Sequence, residues 1–143
     1  MKQIKPEKLF EQEVRAWAFG NGLWLEVYDS KAVFSERKGI YQAAKGLPVG
    51  TPDLMGLNKQ GRAIHIELKA PGAACMPSLE QRNHLSRVIE YGGFGMVTND
   101  LADLDATYKK WCSIIDEVNK RAFLLSKLPM KVKMDGKVVL LSA

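Results

Sequence analysis

Gly50-Thr51-Pro52-Asp53-Leu54-Met55-Gly56-Leu57-Asn58-Lys59-Gln60-Gly61-Arg62-Ala63-Ile64-His65-Ile66-Glu67-Leu68-Lys69 reads as two strands joined by a turn. Ile64, Ile66 and Leu68 alternate with His65, Glu67 and Lys69, the period of a strand with one face toward a core and the other open to solvent. Asp53 to Leu57 forms a shorter strand, and Asn58-Lys59-Gln60-Gly61 carries the turn chemistry that joins antiparallel neighbours. A hairpin centred on Gln60 sets Asp53 opposite Glu67, and Lys69 shares the Glu67 face. Two carboxylates and an ammonium are therefore expected on one patch.

Paired acids invite a divalent cation. Asp53 and Glu67 offer hard oxygen ligands for Mg²⁺, which binds through one or two carboxylates and keeps its other positions for water and phosphate. The ion polarises a phosphoryl oxygen and acidifies a bound water. Lys69 then orients that water or steadies the developing negative charge. An isolated Glu-x-Lys is usually a solvated strand face; the cross-strand position of Asp53 is what sets this one apart.

Gly50-x-Pro52-Asp53-Leu54, Ile66-Glu67-x-Lys69-x-Pro71-Gly72 and Gln81 on a following helix together resemble the VRR-NUC branch of the PD-(D/E)xK nuclease superfamily, over about Leu9 to Asn99. The resemblance implies a restriction-endonuclease-like α-β-β-β-α-β core with a mixed sheet, in the α/β class, and DNA cleavage with Mg²⁺ or Mn²⁺. Its compact stand-alone members act as homodimeric resolvases of branched DNA, so a four-way (Holliday) junction is the implied substrate. Carried over by position, Asp53, Glu67 and the Leu68 backbone carbonyl match metal ligands, Lys69 the catalytic lysine and Gln81 the glutamine of the motif. An acid on the first helix, three residues before its first apolar position, corresponds to Glu11 before Val14, although helix geometry leaves Glu13 open. Leu68 stands where valine is commoner, a change expected to be harmless because the side chain faces the core. Two competing readings are a non-catalytic DNA-binding protein of the same fold and a restriction-type nuclease that reads base sequence. A pure binder gains nothing from acids beside a phosphate backbone, and no side chains aimed at base edges are identifiable.

Composition sets the frame. A chain of 143 residues, 46% hydrophobic and 26% charged, is expected to form one globular domain, with the nuclease core at about 9–99 and a C-terminal helix and β-hairpin at about 101–143. The net charge of +5 and pI near 9.2 favour a polyanionic partner, here DNA. No apolar run approaches the ~20 residues that span a bilayer, and no signal peptide is recognisable. A cytoplasmic protein of a bacterial or phage-infected cell, without a membrane partner, is expected. Cys75 and Cys112 lack metal or disulfide spacing and read as reduced packing residues. His65 and His84 read as unpaired.

Along the chain, Phe10, Val14, Trp17 and Ala18 form the apolar stripe of a first helix, with Pro6 in its opening turn and Gly20-Asn21-Gly22 ending it. Leu23 to Tyr28 is a strand. The long connection from Asp29 to Val49 carries Lys31, Arg37, Lys38 and Lys45 and reads as a DNA-facing loop, partly helical around Tyr41 to Lys45. Ser78 caps a helix reaching about Tyr91, in which Gln81 either closes a capping box or points toward the site from the inner face beside Leu85, Val88 and Ile89. Phe94 to Thr98 is a buried strand parallel to the Ile64–Lys69 strand. Leu101 to Leu128 contains a third helix whose Leu104, Tyr108, Trp111, Ile115, Val118, Ala122 and Leu125 form a heptad-like seam, a candidate dimer surface. Lys131 to Met134 and Lys137 to Leu141, around Asp135-Gly136, form a hairpin.

Overall fold

Pro6 has no amide hydrogen to leave unbonded in a first helical turn, and it opens α1 (Pro6–Gly20), which buries Phe10, Val14 and Ala18. The computed structural model describes residues 3–28, 33–35, 40–42 and 47–142. Strand β1 (Trp24–Val27) follows α1, and two short strands, β2 (Val33–Ser35) and β3 (Ile40–Gln42), pair with each other. Tyr41 is thus in a strand, not in the helical turn expected there; Val33, Phe34, Ile40 and Tyr41 are β-branched or aromatic residues that suit a pleated backbone.

Strands β4 (Leu54–Leu57) and β5 (Ala63–Leu68) form the predicted hairpin. Asn58 explains its tightness: its side-chain oxygen accepts from the backbone N–H of both Gln60 (3.0 Å) and Arg62 (2.9 Å). Helix α2 (Leu79–Glu90) leads to β6 (Phe94–Thr98), which lies parallel to β5. The result is a four-stranded mixed sheet in the order β1-β4-β5-β6, antiparallel except for its last pair. The mixed α/β class expected from the sequence is what forms.

Both faces of this sheet are covered. Phe94 meets Tyr108 and Trp111 edge-on at 5.3 and 5.4 Å, and Trp17 meets Tyr108 at 5.5 Å. On the opposite face α2 comes so close that a Cβ on Gly95 would stand 2.8 Å from the Leu85 carbonyl oxygen. The solvent-open face expected for His65, Glu67 and Lys69 is therefore covered by α2, because Gly95 on β6 and Gly93 just before it let the helix settle onto the sheet.

The single C-terminal helix is in fact two. Helix α3 (Leu101–Ser113) stops where Ile114 turns extended, and α4 (Glu117–Lys127) restarts after Asp116 accepts the Asn119 N–H at 2.8 Å. A side-chain cap competes with continued helix at such a residue. Lys120 seals the break: its Nζ donates to the Trp111 carbonyl at 2.6 Å and lies 4.5 Å above the Trp111 ring. The seam divides accordingly, with Leu104, Tyr108 and Trp111 in the core and Ile115 93% and Val118 62% exposed. Cys75 packs against the core as expected, but Cys112 is exposed. The chain closes with β7 (Lys131–Met134) and β8 (Lys137–Leu140), turned by Asp135 at φ 51° and Gly136 at φ 74°, the left-handed pair that a two-residue hairpin requires. Among the described residues no helix is long and apolar enough to cross a membrane.

Candidate active site

The β4–β5 register pairs Leu54 with Ile66, and one further step along it sets Asp53 against Glu67. Asp53 lies just before β4. Its carbonyl accepts from Tyr28 N–H at 2.8 Å, and its Oδ2 accepts from Leu68 N–H, also at 2.8 Å. The acid is thereby clamped from both neighbouring strands. Gly50 sets the path of the chain into it: at φ 90°, with a notional Cβ only 2.6 Å from the Glu80 carbonyl oxygen, the position admits no side chain. This is the physical reason for the glycine in Gly50-x-Pro52-Asp53.

Glu67 is 4% exposed. Its Oε1 accepts from Gln81 Nε2 at 3.0 Å and lies 3.8 Å from Lys69 Nζ, while its buried Oε2 has no hydrogen-bond donor. Gln81 Oε1 accepts in turn from Lys69 Nζ at 3.3 Å and from Ser78 N–H at 2.9 Å, and Ser78 Oγ accepts from Gln81 N–H at 3.1 Å. One side chain thus closes the capping box and bonds both Glu67 and Lys69. Burial above all, and then the neighbouring Asp53, push the Glu67 carboxyl up to about 9. Burial also raises Asp53, against the pull of the Leu68 N–H. Without a counter-cation, two adjoining buried carboxyl groups retain a proton at neutral pH.

This donor set fits Mg²⁺ or Mn²⁺. Among the described residues no cluster of three or more Asp, Glu, His or Cys side chains gathers, so a closed zinc-type cage is not built. Two adjoining carboxylates suit a hard ion that retains several waters. Of the site residues, Asp53, Leu68 and Glu11 line a cavity of about 460 Å³ with Lys5, Glu7, Lys8 and Tyr28, among others, and Glu67 and Lys69 are not in its lining. Glu11 thus faces the cavity that Asp53 lines, although its carboxylate is bound to Lys8 Nζ at 2.7 Å. Glu13 is exposed and does not line it. Glu7, one turn before Glu11, was not singled out from sequence, yet its charge acts on Asp53 and raises it. The i, i+4 spacing of the two glutamates along α1 was the available signal.

Lys31, Arg37, Lys38 and Lys45, the expected phosphate contacts, lie outside the described residues. The two histidines, read as unpaired, face each other: His65 Nδ1 is 2.8 Å from His84 Nε2. Burial chiefly, and then His84, hold His65 down at about 4, and burial lowers His84 as well, so both rings are neutral at neutral pH. They line a separate cavity of about 930 Å³ with Arg62, Arg87 and Arg121, at the turn end of β5, away from Asp53. No family model, curated protein or solved structure matches the chain, and the family resemblance stands on its quoted residues.

Proposed function

We propose that the chain is a metal-dependent, structure-selective DNA endonuclease of the VRR-NUC type, a homodimer that resolves four-way junctions. The single observation that carries the reading is the convergence of Asp53, Glu67, Lys69 and Gln81 at one end of the β4–β5 hairpin, with the two acids adjoining and largely buried. A plainly structural site has no use for two adjoining buried acids, since a buried charge is costly unless it is paired. With the β2–β3 pair set apart as its own two-stranded sheet, the order α1, antiparallel β1, β4 and β5, α2 and parallel β6 supports a restriction-endonuclease-like core.

A bound Mg²⁺ or Mn²⁺ supplies Lewis-acid polarisation of the scissile phosphate and acidifies an attacking water. The residues of the chain do the rest. Asp53, held by Leu68 N–H and Tyr28 N–H, and Glu67, held by Gln81, present fixed carboxylates, so no reorganisation is needed when charge develops. Lys69, anchored on Gln81, directs its ammonium at the anionic phosphorane-like transition state. In-line attack of water would form the new P–O bond and break the bond to the leaving sugar oxygen; the attacking water gives up a proton to solvent and the leaving oxygen takes one.

The test is a panel of linear, flapped, single-stranded and four-way DNA with and without Mg²⁺. Cleavage is expected only with the metal, fastest on the junction, and reduced by orders of magnitude in Lys69→Ala and Asp53→Asn. Binding without cutting in the wild type would favour the non-catalytic reading, and wild-type rates in both variants would remove these residues from the chemistry.

A further inference from the structure

The ribbon β7–β8 is a part of the described chain that this chemistry does not use. Directly paired residues of an antiparallel ribbon share a face: Val132 with Val139 on one, Lys131 with Leu140 and Lys133 with Val138 on the other. Val132 is fully buried, so the first face turns to the protein; the second is open, with Val138 59% and Leu140 69% exposed beside two exposed lysines. No acid stands on that face.

The ribbon is fastened to the helix that carries Gln81. Lys133 N–H donates to the Pro77 carbonyl at 3.0 Å, and Arg82 Nε donates to the Pro129 carbonyl at 2.7 Å. Pro77 precedes Ser78, the cap bonded to Gln81, and Arg82 follows Gln81. A rigid basic and aliphatic face is thus built beside the turn of α2 that holds Glu67 and Lys69.

That chemistry matches duplex DNA. Lysines bind backbone phosphates, aliphatic side chains meet sugars and thymine methyl groups, and a two-stranded ribbon has the dimensions of the major groove. We infer that the β7–β8 face holds the duplex arm flanking the cleavage point, with Lys131 and Lys133 on its phosphates. The inference rests on the DNA reading above and adds the surface by which substrate is held.

The experiment measures duplex affinity against salt in the Lys69→Ala background with Mg²⁺, where cutting is suppressed. Adding Lys131→Gln and Lys133→Gln is expected to lower the log-log salt slope by roughly 2, and each alone by roughly 1, equally on unrelated sequences. A charge-matched control, Arg15→Gln with Lys59→Gln, should leave the slope unchanged. An unchanged slope in the ribbon variant, or an equal loss in the control, overturns the inference while leaving the nuclease reading intact. So does an unchanged slope combined with a halved mass by light scattering, which would make the ribbon a contact between copies. A Lys69→Ala parent that binds no DNA overturns the DNA reading itself, and the ribbon with it.

Discussion

Gln81 Nε2 donates to Glu67 Oε1 at 3.0 Å while the same side chain closes the cap of α2 onto Ser78. One residue therefore orients an acid and starts a helix. Gln81→Ala should lose both, costing about 1 kcal/mol through the cap and roughly 10- to 100-fold in metal affinity or activity through the lost orientation. Gln81→Glu keeps a carboxyl that can return to the cap but has no N–H for Glu67. It is expected to melt near the wild type and still lose activity. Thermal melts and cleavage rates measured side by side decide this: activity that merely tracks melting temperature in both variants would reduce Gln81 to a cap.

The Glu67 carboxyl, pushed up to about 9 from 4.5, takes up a proton on folding. Between those values the folded state binds more protons than the unfolded one, so this group's contribution is full below about 4.5 and is lost as pH rises toward about 9. His65, held at about 4 rather than 6.5, acts with the opposite sign and is complete above about 6.5. Melting of metal-free protein from about pH 6.5 to 9 should therefore fall with pH, and Glu67→Gln should flatten that fall. Added Mg²⁺ should stabilise more as pH rises, because binding displaces the proton. An equal slope in wild type and Glu67→Gln would show that the acid titrates normally.

Gly56 pairs with Leu25 of β1, and a Cβ there would stand 1.7 Å from the Trp24 carbonyl oxygen. Backbone on both sides leaves no flexible group to yield, so Gly56→Ala should cost about 3 kcal/mol, the upper end for overpacking. Gly20, with open space around it, provides the contrast. Its replacement by alanine should be neutral or stabilising by up to about 1 kcal/mol. Urea midpoints of the two variants check the pair; similar values would mean that β1 adapts.

Lys120→Met keeps an unbranched chain over the Trp111 ring but removes the donor to the Trp111 carbonyl. A loss of about 1.5 to 3 kcal/mol is expected from the charged hydrogen bond, the carbonyl keeping only the Ile114 N–H at 3.3 Å. Circular dichroism melts report it, and an unchanged melting temperature would mean that the α3–α4 break holds without its lysine.

What the sequence determined by itself was local. Alternation at Ile64–Lys69, the Asn58–Gly61 and Asp135-Gly136 turns, the Ser78–Gln81 cap and the apolar stripe of α1 all depend on residues a few positions apart, and all are present. The cross-strand placement of Asp53 and Glu67 followed as well, because hairpin register is set by its turn. Tertiary structure decided what lies between distant segments. Helix α2, seated on Gly93 and Gly95, buried a strand face that alternation had left open. Packing brought His65 to His84 and turned Glu7 and Glu11, but not Glu13, toward the Asp53 cavity. The seam from Leu104 to Leu125 kept its period in sequence but lost it in space, because Asp116 and Lys120 stabilise two helix ends where periodicity counts only one helix. Periodicity reports which residues share a face; which element covers that face, and how deeply, is settled only by long-range packing.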